Sequence, residues 1–197
     1  MRVIAGTYRS RLLTAPRGTS TRPTSDRFRE TLFNILAPRL PGSRFLDLYA
    51  GTGAVGIEAL SRAAAHVWFA EKAPPALASL RANLTALKIT TGFTLEDRGT
   101  AALLQRLAEQ AVKPTPPPLI DLVYLDPPYE AESEYESTLN FLGSARGRQL
   151  LAPNALILTE HSSKLTLASR YGTLTPTRLL KQGDTALTFL THPSSNE

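Results

Sequence analysis

The chain contains no cysteine in 197 residues, and only one tryptophan, one methionine and three histidines. Without thiols there is neither a disulfide framework nor thiolate ligation. His66, His161 and His192 lie far apart in sequence, so no metal site is expected. No apolar run approaches the roughly 18 residues that a membrane helix requires, and the opening MRVIAGTYRSR lacks the apolar core of a secretory signal. These absences lead us to expect a soluble, cytoplasmic protein, with a monomer as the simplest state. Carboxylates are scarce in one region above all. The first thirty residues hold seven arginines (Arg2, Arg9, Arg11, Arg17, Arg22, Arg27 and Arg29) against only Asp26 and Glu30, which accounts for the whole net charge of +5. Arginine's planar fork suits phosphate and stacks on bases, so a polyanion partner is one reading and a solvated basic surface the other.

What is present is enough for a core. Hydrophobic residues make up 42% of the sequence, and the length suits one ordinary domain with at most a small appendage. The segments VIAG and RLLTAP read as a short β-hairpin around the polar TYRSR. In RPTSDRFRETLFNILAPRL, Phe28, Leu32, Phe33, Ile35 and Leu36 fall at helical spacing, with Thr24 or Ser25 as N-cap and Pro38 as the stop. From residue 44 strands and helices alternate through RFLDLYA, HVWFAE, GFTLE and LIDLVYLD, and the chain ends in an alternating pair joined through Gly183 and Asp184. The expected fold is α/β and Rossmann-like: a mostly parallel seven-stranded sheet with an antiparallel C-terminal strand, helices on both faces and an N-terminal β-hairpin. Residues 1–22 are expected to be an Arg-rich extension and 23–197 the main domain.

The fourth strand of the series stops abruptly in DLVYLDPPYE. Two successive prolines remove two backbone donors and fix φ at about −65°, so the ladder cannot continue and the chain leaves the sheet. Asp126 therefore stands at a strand's carboxyl end, where open α/β sheets bind ligands. A rigid turn with a solvated aspartate is the plain alternative. If Asp126 and the Pro127 carbonyl each accept one N–H of an exocyclic amine, they localise its delocalised lone pair and stabilise the positive charge that develops on alkylation. Pro127 and Pro128 hold these acceptors still, and Tyr129 offers a face on which an extruded base can stack.

After the first strand, DLYAGTGAVGIEAL places Gly51, Gly53 and Gly56 at G-x-G-x-x-G spacing, and Glu71 closes the next strand. Such a turn brings a ligand close to backbone amides, and the acidic residue suits ribose hydroxyls. A nicotinamide or flavin nucleotide, another adenosine-containing ligand and a merely structural turn all fit that pattern. Asp47 weighs against the first, because a carboxylate there opposes a pyrophosphate but suits a ligand carrying ammonium and sulfonium, such as S-adenosylmethionine.

DPPY, DLYAGTG and Glu71 together resemble the class I S-adenosylmethionine-dependent methyltransferases that modify exocyclic amines. RVIAGTYRSRLL, RPTSDRFRETLFNIL, GAVGIEALSRAA and KQGDTALTFL narrow the resemblance to the bacterial RsmD family, and it spans nearly the whole chain. The resemblance implies methyl transfer from S-adenosylmethionine to a guanine N2 in 16S rRNA, as naked RNA or in a partly assembled small subunit. It implies that Thr24, Asp47, Gly51, Gly53, Glu71 and Asp126 line the cofactor pocket, that Asp126, Pro127, Pro128 and Tyr129 form the catalytic loop, and that Arg2, Arg9, Arg11 and Arg22 grip RNA. In the third-strand loop the family places Asp or Asn before a small residue to contact adenine. This chain has Arg98 before Gly99, with Asp97 one place early. The competing readings are a DNA adenine-N6 methyltransferase using the same loop, an NAD-dependent oxidoreductase and a non-catalytic RNA-binding module.

Overall fold

The computed structural model describes residues 1–16, 26–128 and 131–193. Arg22, Thr24 and Tyr129 lie outside them, as does the expected boundary between residues 22 and 23. Two compact units divide the chain, Met1–Gly99 and Thr100–Glu197.

In the first unit, α1 (Asp26–Leu36) buries Phe28, Leu32, Phe33 and Leu36 along one stripe and gives way at Pro38 to a 3₁₀ turn, Ala37–Arg39. Two βα steps and a third strand follow: β1 (Arg44–Leu48), α2 (Ala54–Ser61), β2 (His66–Ala70), α3 (Pro74–Ala86) and β3 (Phe93–Glu96). The strand β2 lies between the other two and is parallel to both, with Asp47 opposite Phe69 and Ala70 opposite Glu96. Both β1 and β2 are buried at four of five positions, as expected of parallel strands covered on two faces.

The N-terminal segment forms the expected hairpin in short form: around the antiparallel bridge of Arg2 with Leu12, Leu13 N–H donates to the Met1 carbonyl at 3.1 Å, Val3 N–H to the Arg11 carbonyl at 3.0 Å and Ser10 N–H to the Val3 carbonyl at 2.9 Å, and pairing goes no further than Val3. The reason is a competing acceptor: Glu58 of α2, fully buried, takes the N–H of Ile4 at 2.7 Å and of Ala5 at 2.9 Å. Ser61 accepts from the Tyr8 N–H and donates to the Ala5 carbonyl, and Asn83 accepts from the Thr14 N–H. Arg29, also fully buried, donates to the Arg2 carbonyl and to Asp26. A backbone donor satisfied by a buried carboxylate has no use for a partner strand. The segment is thus stitched onto α2 and α3, while Arg2, Arg9 and Arg11 remain exposed.

In the second unit, α4 (Thr100–Ala111) leads into β4 (Ile120–Leu125), followed by α5 (Glu132–Gly143), α6 (Ala145–Arg148), β5 (Leu151–Ser162), β6 (Thr175–Gln182) and β7 (Thr185–Thr191). The strands β4 and β5 are parallel, with Tyr124 opposite Leu158 and Leu125 opposite Thr159. The terminal hairpin forms as expected, β7 running antiparallel to both β5 and β6, and its turn uses Gly183 at φ +63°. The strand order is β3-β2-β1-β4-β5-β7-β6, a seven-stranded, mostly parallel sheet closed by an antiparallel C-terminal pair. Among the described residues no helix is long and apolar enough to cross a membrane, and no group of His, Cys, Asp and Glu could hold a metal ion.

Candidate active site

In the first unit the chemistry gathers at the carboxyl ends of β1, β2 and β3. Asp47, the fourth residue of β1, is buried, and its Oδ2 accepts the Gly56 N–H at 2.8 Å. Burial pushes its carboxyl from 3.8 up to about 7, the Gly56 hydrogen bond opposes the shift and the nearby charge of Glu71 adds to it. Glu71, just past β2, accepts the Gly51 N–H at 2.8 Å on one oxygen and the Ala73 N–H at 2.6 Å on the other. One carboxylate thereby ties the glycine turn to the first turn of α3, whose N-cap, Ala73, has no capping side chain.

The three glycines do different work. Gly51 sits at φ +56°, and a Cβ placed there would meet nothing within 4 Å, so a ligand can approach its backbone. Gly53 is the left-handed N-cap of α2. Gly56 is a packing requirement, since a Cβ would fall 2.2 Å from the Phe69 ring and 2.9 Å from Asp47 Oδ2. An open backbone cradle with a buried acid on one side and a second acid on the other fits a nucleoside bearing positive charge. At the β3 end, Asp97 pairs with Arg81 at 3.0 Å, both half exposed. Arg98 folds back onto the buried Glu96 at 2.8 Å, and its own N–H contacts the same carboxylate. Glu96 thus holds the residue standing where the resemblance expects an adenine contact.

In the second unit β4 ends where the proline argument ends it. The strand stops at Leu125; Asp126 is partly exposed, Pro127 buried and Pro128 exposed. Behind them is a contact that sequence reasoning missed: Tyr135 of α5, 2% exposed, donates its hydroxyl to the Pro127 carbonyl at 3.3 Å. A carbonyl oxygen has two lone pairs, so this bond fixes the acceptor and leaves capacity for a second donor. A second missed pair lies beside the loop, where buried Tyr124 of β4 donates to the buried carboxylate of Glu160 on β5. The signal for Glu160 was in the sequence: like Asp47 and Asp126, it is a carboxylate at the end of an apolar strand, LILTEH. Glu58 carried a comparable signal as the one charge in a short helix whose residues are almost all buried.

The sequence and the fold just described have counterparts among proteins already known. The chain is 38% identical over 160 residues to ribosomal RNA small subunit methyltransferase D of Escherichia coli strain K12, covering 81% of this chain and 74% of that protein. It is 36% identical over 160 residues to the protein of the same name from Haemophilus influenzae, covering 81% and 78%. The solved structure of yhhF from Escherichia coli, described as a methyltransferase, superposes with a TM-score of 0.80 at 30% identity over 99% of each chain. The fold is therefore that of the class I methyltransferases. The family model described as conserved hypothetical protein 95 matches residues 1–191, and with these relatives it shows that the chain belongs to that family, the RsmD family of methyltransferases.

Proposed function

We propose that this protein transfers a methyl group from S-adenosylmethionine to the exocyclic N2 of a guanine in small-subunit ribosomal RNA. The observation that carries the reading is the stop of β4 at Asp126-Pro127-Pro128, where a carboxylate and a carbonyl fixed by Tyr135 offer two acceptors in a rigid loop. The names of the relatives supply the rRNA substrate class. When bound, S-adenosylmethionine supplies an electrophilic methyl group. The residues to hold it are Thr24, Asp47, Gly51, Gly53, Glu71 and, at the adenine end, Asp97 and Arg98. Asp47 faces the cationic part and Glu71 takes the ribose hydroxyls, exchanging its bond to the Gly51 N–H for them.

Asp126 and the Pro127 carbonyl each accept an N–H of the guanine amine, which concentrates the lone pair on nitrogen. The carboxylate also offsets the positive charge that builds there and receives the proton afterwards. Tyr129 stacks on the extruded base. Nucleosides of small-subunit rRNA incubated with the protein and S-adenosylmethionine, as naked RNA and as assembled particles, should gain N2-methylguanosine by mass spectrometry. Its absence from both, or N6-methyladenine formed on DNA instead, overturns the reading.

The exposed Arg2, Arg9 and Arg11, with Arg22, are the proposed grip on the RNA backbone. Each phosphate they neutralise adds roughly −0.7 to −0.9 to the slope of log affinity against log salt. Replacing Arg9 and Arg11 with alanine should flatten that slope by about 1.5. An unchanged slope removes Arg9 and Arg11 from the interface.

A further inference from the structure

We infer that Glu160 reads the N1–H of the target guanine and so selects guanine over adenine. The inference rests on the methyl-transfer reading above and adds a specificity residue to it. In a parallel pair, opposed residues point to the same side of the sheet, and the side alternates along each strand. Tyr124 is opposed to Leu158, so Tyr124 shares its side with Leu158 and Glu160, and the hydrogen bond from the Tyr124 hydroxyl to Glu160 Oε2 agrees. The pairing ends with Leu125 against Thr159, and Asp126 and Glu160 are the next residues on the two strands' courses. Pro127 keeps Asp126 out of helical backbone, and alternation extended by that one residue puts Asp126 on the side of Tyr124 and Glu160.

The extended register thus brings two carboxylates to the carboxyl ends of β4 and β5, of which the proposed chemistry uses only one. Guanine presents two neighbouring donors on its pairing edge, the N2 amine and the N1–H. Adenine presents an amine beside N1, which bears a lone pair. The Tyr124 hydroxyl already donates to Glu160, which shows its carboxyl group as an acceptor, and an acceptor beside the amine-binding aspartate matches guanine and opposes the N1 lone pair of adenine. Glu160 is 4% exposed and anchored by Tyr124, so its direction is set before the base arrives. A preformed buried acceptor rejects a base lacking the matching donor far more strongly than an exposed one, because the mismatch leaves it unpaired.

The test uses small-subunit rRNA, naked and reconstituted into particles, carrying either guanine or 2-aminopurine at the position that the wild-type protein methylates. 2-Aminopurine keeps the N2 amine and lacks the N1–H. The wild type should prefer guanine by about a hundredfold in single-turnover rate. Glu160→Gln should cut this preference by about tenfold or more, since a glutamine amide can turn its NH₂ toward the N1 lone pair of 2-aminopurine. Tyr124→Phe, which keeps the carboxylate but loses its anchor, should cut it by less. Because the readout is a ratio between two bases, it is insensitive to the folded fraction of a variant. An unchanged ratio in Glu160→Gln, or equal loss on both bases down to background, overturns the inference, as does a wild type indifferent to the two bases. Absence of guanine methylation by the wild type instead overturns the underlying functional reading.

Discussion

Replacing Asp126 by alanine should lower the rate of methyl transfer by about a thousandfold or more while leaving the melting temperature within a few degrees of wild type. The size follows from what the side chain does only at the transition state. A neutral aromatic amine gains positive charge as its lone pair leaves the ring, and a carboxylate at hydrogen-bond distance stabilises that charge far more than it stabilises the neutral ground state. Removing one such preorganised partner typically costs about 10² to 10³ in rate, and here the same group also receives the proton. Asp126→Asn separates the two contributions. Asparagine retains a carbonyl acceptor but neither charge nor basicity, so its rate should fall between wild type and Asp126→Ala. Stability should hold because Asp126 lies beyond the last paired residue of β4 and is partly exposed. Single-turnover rates with saturating cofactor, alongside thermal melting, make the check. Alanine at position 126 with rates near wild type would remove the carboxylate from the chemistry.

Features governed by local backbone chemistry were legible in the sequence. Pro127 and Pro128 end β4 because neither can donate to a ladder, and no tertiary context restores a missing N–H. Alternation of apolar strands with helical stretches gave the parallel core, and the polar Gly183-Asp184 turn between alternating runs gave the terminal hairpin. What local patterning hides is a partner distant in sequence. Ile4 and Ala5 read as a strand until Glu58, more than fifty residues away, takes their N–H groups, and the hairpin's pairing stops at Val3. The same holds for Tyr135 on Pro127 and for Tyr124 on Glu160, each of which joins two elements. Asp47 and Glu71 were legible as acids at strand ends. Their ligand-free partners, the N–H groups of Gly56, Gly51 and Ala73, were not, since the glycine spacing alone does not say which amide turns inward.

Between pH 5.5 and 7.5 the affinity for S-adenosylmethionine should rise with pH, and Asp47→Asn should both weaken it and remove the dependence. Asp47 is buried, and burial holds its carboxyl up at about 7 against the pull of the Gly56 N–H. A bound cation favours the ionised form, so the group's pKa falls in the complex. Below about pH 7 binding must therefore expel a proton, and affinity drops by up to about tenfold per pH unit; above it the proton has already left and affinity levels off. The same shift acts on stability with a definite sign. The unfolded chain ionises Asp47 from about pH 4 and the folded chain only near 7, so the contribution of Asp47 to ligand-free stability falls as pH rises through that window and is flat above it, by on the order of 4 kcal/mol for a full shift. Cofactor binding reverses the loss by giving the charge a partner. At pH 7.5 Asp47→Asn should bind S-adenosylmethionine about 10- to 100-fold more weakly, the worth of a charge-assisted contact, and relative to wild type its ligand-free stability should gain steadily between pH 5 and 7 as the Asp47 loss is removed. Calorimetry at pH 6 in two buffers of different ionisation enthalpy counts the protons released: close to one for the wild type and none for Asp47→Asn. Wild-type affinity that is constant with pH and releases no proton would show that Asp47 serves only to hold the Gly56 amide, with no part in meeting the cation.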